Sequence, residues 1–180
     1  LVKRIKMKAL TIPLKVVYRD KEVIAQKLTV SSEIPLDIET AWAKAKTSAL
    51  LEFVTKGMVK FAPLNGHFPT IWQEGSTVKT RSLLFGFIPF GGTHTLFFEK
   101  IDDTQKILQT QEYDDAAKIW NHTITMGRVT DTTILYKDEI IIYGGVLTFL
   151  ITLWAKYFYQ YRQKRWLLVA KQCVKSKLSI

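Results

Sequence analysis

Two histidines, two carboxylates and a phenol fall at positions that strand alternation turns to one side of a sheet: His94, Glu112, His122, Tyr136 and Asp138. Successive residues of a strand point to opposite faces, so charged neighbours show which face meets water. In 77–84, Lys79 and Arg81 face water, which turns Val78, Thr80, Ser82 and Leu84 inward. In 133–142, Lys137 and Glu139 face out, so Ile134, Tyr136, Asp138, Ile140 and Ile142 face in. Asn121, Thr123 and Thr125 make the polar face of 119–126, leaving Trp120, His122, Ile124 and Met126 on the other. His94 shares a face with Leu96 and Phe98, and Glu112 with Leu108 and Thr110.

Such groups do not stay buried alone. An unpaired polar group costs ~1–3 kcal/mol and an unpaired charge far more, so these side chains must pair, hold water or meet a ligand. Three chemistries are open: a satisfied internal network, recognition of the polar head of an otherwise apolar ligand, and acid–base catalysis. The catalytic version takes His122 or His94 as general base, oriented by Asp138 or Glu112, with Tyr136 donating to a developing enolate oxygen. No nucleophile motif, phosphate loop or HExxH pattern is present. His94, His122 and a carboxylate have metal-ligand chemistry without close ligand spacing, so neither metal nor other cofactor is expected.

The elements that must carry these residues follow from periodicity and turn signals. From 70 to 143, segments with strand character are separated by Gly75, Gly91-Gly92, Asp102-Asp103, Asp114-Asp115 and Asp131, which predicts an antiparallel meander of five or six strands. Upstream, 27–34 reads as a first strand ending at Pro35. Asp37 stands where an N-cap belongs, and Ala41, Trp42, Ala45, Ala49, Leu50 and Phe53 follow at helical spacing, taken as a helix pair that Gly57 and 63–69 terminate. Residues 1–24 form a basic arm or an extra edge strand, with a turn at Asp20-Lys21, and 25–175 one domain.

The longest helical stretch runs from Gly145 to about Lys171. Leu147, Ile151, Trp154, Phe158 and Tyr161 form one stripe, and Val146, Leu150, Leu153 and Tyr157 another beside it. Because the first half is apolar nearly all round and the second carries Arg162, Lys164 and Arg165, the helix is expected to start buried and end wet. Either Arg162 or Arg165 could close the cup against a carboxylate of the sheet, or remain in water. The rival reading, a membrane span over the sixteen uncharged residues 140–155, falls short of the ~18–20 needed and is cut by Gly144-Gly145. A strand, a helix pair, a meander and a long last helix have one economical solution: a strongly bent antiparallel sheet wrapped around that helix, an α+β fold.

The net charge of +10 sits at the ends. Residues 1–27 hold eight Lys or Arg against two acids, and 156–180 hold seven against none, while the body between is mildly acidic. An anionic membrane surface or acidic partner is therefore a candidate, beside the plainer roles of a solvated arm and cations at a helix C-terminus. Nucleic acid is disfavoured, because only 159–166 interleaves bases with aromatics. The single cysteine, Cys173, excludes an internal disulfide, and 1–20 lacks the apolar stretch of a signal peptide, so a cytoplasmic protein is expected. Oligomeric state leaves no mark in the sequence.

Over 26–172 the chain resembles the START-like, helix-grip (SRPBCC) superfamily that includes polyketide cyclases, birch-pollen-allergen relatives and lipid-transfer domains. The first strand, PLDIETAW at 35–42 and the last helix after Gly144-Gly145 carry the resemblance. GFIPFGGTHTLFFEKID at 86–102, WNH at 120–122, DTTILYKDEI at 131–140 and FYQYRQKRW at 158–166 resemble a bacterial branch of it whose function is unknown. The resemblance implies a cavity between sheet and long helix that holds an apolar or amphipathic ligand. Its expected lining is Ser82, Leu84, His94, Leu96, Glu112, Trp120, His122, Tyr136, Asp138, Leu150, Trp154 and Phe158. A cyclase-like enzyme using His94, His122 or Asp138 is the alternative, and an adaptor working through the basic ends a third. Gly86, Pro89 and Gly91-Gly92 form a loop that could gate entry, while outward-facing Leu83, Phe85 and Phe87 hint at a covered surface.

Overall fold

The computed structural model describes residues 7–178, with side chains to 173. The N-terminal stretch folds back on itself. Strand β1 (Lys8–Tyr18) pairs antiparallel along its whole length with β2 (Lys21–Ile34), and Arg19-Asp20 between them adopt the two positive φ values of a tight hairpin. The described part of the basic arm is therefore an edge strand, and β2 starts before the position where the first strand was expected. Of the fifteen bases in 1–27 and 156–180, five lie in 1–6 and 174–180, outside the described side chains, and two, Lys8 and Lys15, lie on β1.

Two short helices follow, α1 (Ile38–Ala45) and α2 (Ser48–Thr55). The Asp37 carboxylate accepts the Thr40 amide and the Thr47 hydroxyl accepts the Leu50 amide, so each helix has its own side-chain cap. Five strands complete the meander after the short β3 (Val59–Pro63): β4 (Thr77–Leu84), β5 (Ile88–Asp102), β6 (Ile107–Tyr113), β7 (Ile119–Thr130) and β8 (Thr133–Tyr143). Sequence reasoning passed over β3, whose five residues lie between two turn-rich stretches. The loop expected over 86–92 is instead a reversal at Phe85-Gly86, both at positive φ, with β5 already begun at Ile88.

All eight strands form one antiparallel sheet in the order β1-β2-β8-β7-β6-β5-β4-β3. Gly91-Gly92 is not a boundary but an irregularity inside β5. The register against β4 jumps there, pairing Arg81 with Thr93 and Ser82 with Phe90. Positive φ at both glycines suits this, and a Cβ on Gly91 would sit 2.6 Å from the Asp114 carboxylate. The bulge thus lets the turn after β6 close over β5.

A 3-10 turn (Gly145–Leu147) leads into α3 (Thr148–Leu178), which crosses the concave face. Its burial reverses the expectation. Thr148, Thr152, Ala155, Tyr159, Gln163, Trp166 and Ala170 are the buried stripe, while Val146 is 99% and Leu150 62% exposed. The helix starts with apolar side chains in water and is buried further along, with Arg162 and Gln163 inside. Where every face is apolar, periodicity cannot choose one, and small Thr148, Thr152 and Ala155 allow the closer approach to the sheet. Beside the helix start, Phe85, Phe87 and Ile88 at the β4–β5 turn are also exposed. No helix among the described residues is long and apolar enough to cross a membrane.

The core has two parts. Trp166 and Tyr136 centre one, with Trp42, Trp72 and Phe98. The other gathers Leu28, Val30, Trp120, Ile140, Phe158 and Tyr159.

Candidate functional site

Antiparallel register brings the polar inward residues together. His94 on β5 reaches Glu112 on β6, His122 on β7 lies opposite Thr110, and Asp138 on β8 lies opposite Ile124, two pairs along from His122. The His94 Nε2 is 2.9 Å from Glu112 Oε2 and its Nδ1 is 3.1 Å from Asp114 Oδ2. Glu112 Oε1 accepts the Thr110 hydroxyl at 2.5 Å and lies 4.0 Å from His122 Nδ1. On the other side of that ring, His122 Nε2 is 2.8 Å from Asp138 Oδ1, which also accepts the Tyr136 hydroxyl at 3.1 Å. A line of alternating carboxylate and imidazole crosses the floor of the sheet, from Asp114 to Asp138.

Helix α3 closes that line. Gln163 donates to Asp138 Oδ2 and to the Val30 carbonyl, and its amide oxygen accepts the Ser32 hydroxyl. Asp114 is held by its own turn, where Oδ1 accepts the amides of Ala116 and Ala117. Sequence reasoning missed Asp114, which sits past the end of β6 in what reads as a plain Asp-Asp turn.

Burial alone would lower the His94 pKa, but hydrogen bonds to Asp114 and Glu112 outweigh it and push it up to about 9. Burial likewise opposes ionisation of Glu112 and Asp138, yet the His94 hydrogen bond holds Glu112, and the His122 hydrogen bond Asp138, below the usual carboxylate range. The Tyr136 phenol is raised by burial and by Asp138, and the Tyr159 phenol by burial. His94 is therefore an imidazolium at neutral pH, with both ring nitrogens engaged and no lone pair for a base. On His122, Nδ1 lies beyond hydrogen-bond distance of Glu112, while Asp138 orients Nε2.

Above this line lies a cavity of about 120 Å³ between the sheet, α1, α2 and α3. Ten of the expected residues line it: Ser82, Leu84, His94, Leu96, Glu112, Trp120, His122, Tyr136, Trp154 and Phe158. Two do not. Asp138 is wholly buried behind His122 and Tyr136, and Leu150 points to solvent because the helix is rotated away from the face assumed for it. The wall also includes Phe61, Trp72, Phe90, Tyr159 and Arg162, none of them in the expected set. Trp154 stacks on Phe158 with ring centroids 5.0 Å apart and approaches Phe90 at 6.0 Å. The Phe90 contact ties the β4–β5 turn to the helix beside the cavity.

Arg162 is only 8% exposed. Its guanidinium lies 4.8 Å from the Tyr159 ring centroid and 5.7 Å from that of Phe158. No carboxylate comes within ion-pair distance of it among the described residues, and its Nε has no hydrogen-bond partner. It is neither solvated nor paired with the sheet, the two outcomes its place in the sequence had suggested.

No protein-family model matches the sequence, and no curated protein does. Solved structures do match. A START superfamily protein from Mycobacterium smegmatis superposes with a TM-score of 0.60 at 9% identity, over 82% of this chain and 98% of its own. Norcoclaurine synthase from Thalictrum flavum, solved with dopamine and hydroxybenzaldehyde, gives 0.55 at 9% identity over 95% and 88%. A major latex-like protein from Panax ginseng gives 0.53 at 11% identity over 78% and 94%. At these identities the likeness is one of fold. With one bent antiparallel sheet, two short helices after its first strands and a long last helix across its concave face, the chain has the helix-grip fold of the START-like proteins.

Proposed function

We propose that this protein binds an apolar or amphipathic small molecule in the cavity between sheet and α3. The observation that carries the reading is the lining. Aromatic and aliphatic side chains make most of the wall, and the polar groups are concentrated along the carboxylate–imidazole line. The polar groups of that line satisfy one another, so it can stay folded without a ligand while still presenting His122 and Glu112 to one. The norcoclaurine synthase structure, with dopamine and hydroxybenzaldehyde bound, supports the idea that such a fold accommodates small aromatic compounds. Native mass spectrometry of the gently purified protein, followed by extraction and identification of what travels with it, tests the reading. A stoichiometric small molecule, or saturable quenching of Trp120 and Trp154 emission by an added apolar compound, is expected. An empty protein that binds no apolar probe overturns it.

A second reading rests on His122. With Nε2 held by Asp138 and Nδ1 without a hydrogen bond among the described residues, this ring is oriented as a general base, which His94 is not. Enzymatic use predicts that His122→Asn abolishes turnover of the bound compound while leaving its affinity within about threefold. Affinity and turnover lost together, or no turnover in the wild type, returns His122 to ligand recognition.

A further inference from the structure

Every oxygen of the carboxylates around the cavity already accepts a hydrogen bond, whereas Nε of the arginine donates none among the described residues. Glu112 takes His94 and Thr110, Asp114 takes His94 and two backbone amides, and Asp138 takes His122, Tyr136 and Gln163. Arg162, nine-tenths buried and on the cavity wall, has no acceptor at Nε and no ion pair among the described residues. An always-charged guanidinium that is nine-tenths buried, with an Nε that donates to nothing among the described residues, is unfavourable, and its planar fork of donors fits a carboxylate. Beside it, the Tyr159 oxygen accepts from Trp120 Nε1, and no acceptor for its own hydrogen appears among the described residues. The unfilled positions that α3 contributes to this wall are donors.

The space is also small. About 120 Å³ lies well under the ~300–1,000 Å³ of ordinary ligand pockets and near the ~150 Å³ that accommodates a benzene ring. Trp120, Trp154 and Phe158 supply flat walls, which suit a ring better than an extended chain. We infer that the ligand of this cavity is a small aromatic carboxylic acid whose carboxylate is received by Arg162. This inference rests on the cavity being a ligand site, as proposed above.

Calorimetric titration with 4-methylbenzoate and 4-methylbenzamide, nearly equal in shape and different in charge, tests it. The wild type binds the acid about tenfold or more tightly than the amide, the effect of a charge-assisted fork. Arg162→Gln brings the acid down to the amide and leaves the amide unchanged, and Arg162→Lys retains part of the preference. Equal wild-type affinities overturn the inference, and this arm needs no variant to fold. Tighter binding of decanoate than of 4-methylbenzoate overturns the aromatic assignment in favour of an acyl chain. If neither benzoyl compound binds while another apolar probe still saturates the cavity, this inference falls and the binding function stands. If no probe binds, both fall.

Discussion

Between Glu112 and Asp114, the His94 ring is held in the form that an unfolded chain gives up near pH 6.5 and this fold keeps to about 9. A pKa raised on folding stabilises fully below its unfolded value, and the contribution fades as pH rises through the folded one. For His94 the shift corresponds to something on the order of 3 kcal/mol, present at pH 6.5 and gone above pH 9. Glu112 and Asp138 act at the other end of the scale. Their lowered values add stability above the ordinary carboxylate range, and it is lost as pH falls through the folded values. The wild-type melting temperature is expected to decline between pH 6.5 and 9.5, and His94→Gln to melt lower at pH 6.5 but with a flatter profile over that interval. A wild-type profile that does not fall there contradicts the assignment of His94 as an imidazolium. Strand alternation, anchored on Lys79, Arg81, Lys137 and Glu139, was enough to put His94, Glu112, His122, Tyr136 and Asp138 on one side. It could not reveal Asp114, which is brought to His94 only by the pairing of β5 with β6 and the bulge at Gly91-Gly92. Nor could it place Arg162, for which a contact with the sheet and a solvated helix end both stayed open.

At the scale of elements, α3 shows why hydropathy misjudged a face. Gln163 is fully buried and links β2, β8 and the helix through Ser32, Val30 and Asp138, whereas Leu150 two-thirds faces water. Gln163→Leu takes one hydrogen bond from each of three buried polar partners and is expected to cost about 2–4 kcal/mol. Leu150→Gln is expected to change stability by no more than about 0.5 kcal/mol. Urea unfolding of the two variants, compared at equal m-value, checks the order, which is the reverse of what side-chain hydropathy ranks. The existence of the helix was legible from its length without Pro. Its orientation was not, because the first half offers apolar side chains on all sides, and the deciding contacts come from β8 and from β2, the latter more than 130 residues earlier.

Over the whole molecule, the strand order separates two jobs. No residue of β1 or β2 lines the cavity, and β1 pairs only with β2 at the margin of the sheet. Pro13, Lys8 and Lys15 on β1 are the kind of residues that discourage further strand addition at an edge. Deleting residues 1–20 is expected to keep the affinity for a cavity probe within about threefold, since β2 remains paired with β8, and to hasten aggregation, since β2 becomes the bare edge. Titration and light scattering on the truncated chain measure the two effects separately, and loss of probe binding would show that β1 supports the cavity after all. The helix-grip outline was legible because each strand is punctuated by turn residues. The closure of the sheet was not, because on the side away from β1 the strand β2 meets β8, the strand farthest from it in sequence.

That closure also places the protein in time. Thr29 on β2 pairs with Glu139 on β8, about 110 residues further along the chain. At ribosomal speed the interval is about 5–20 s, during which the N-terminal hairpin has emerged with one side of β2 unmatched. The part of this fold made first is thus among the last to be completed, and its early seconds are the interval in which a nascent-chain partner would have most to protect.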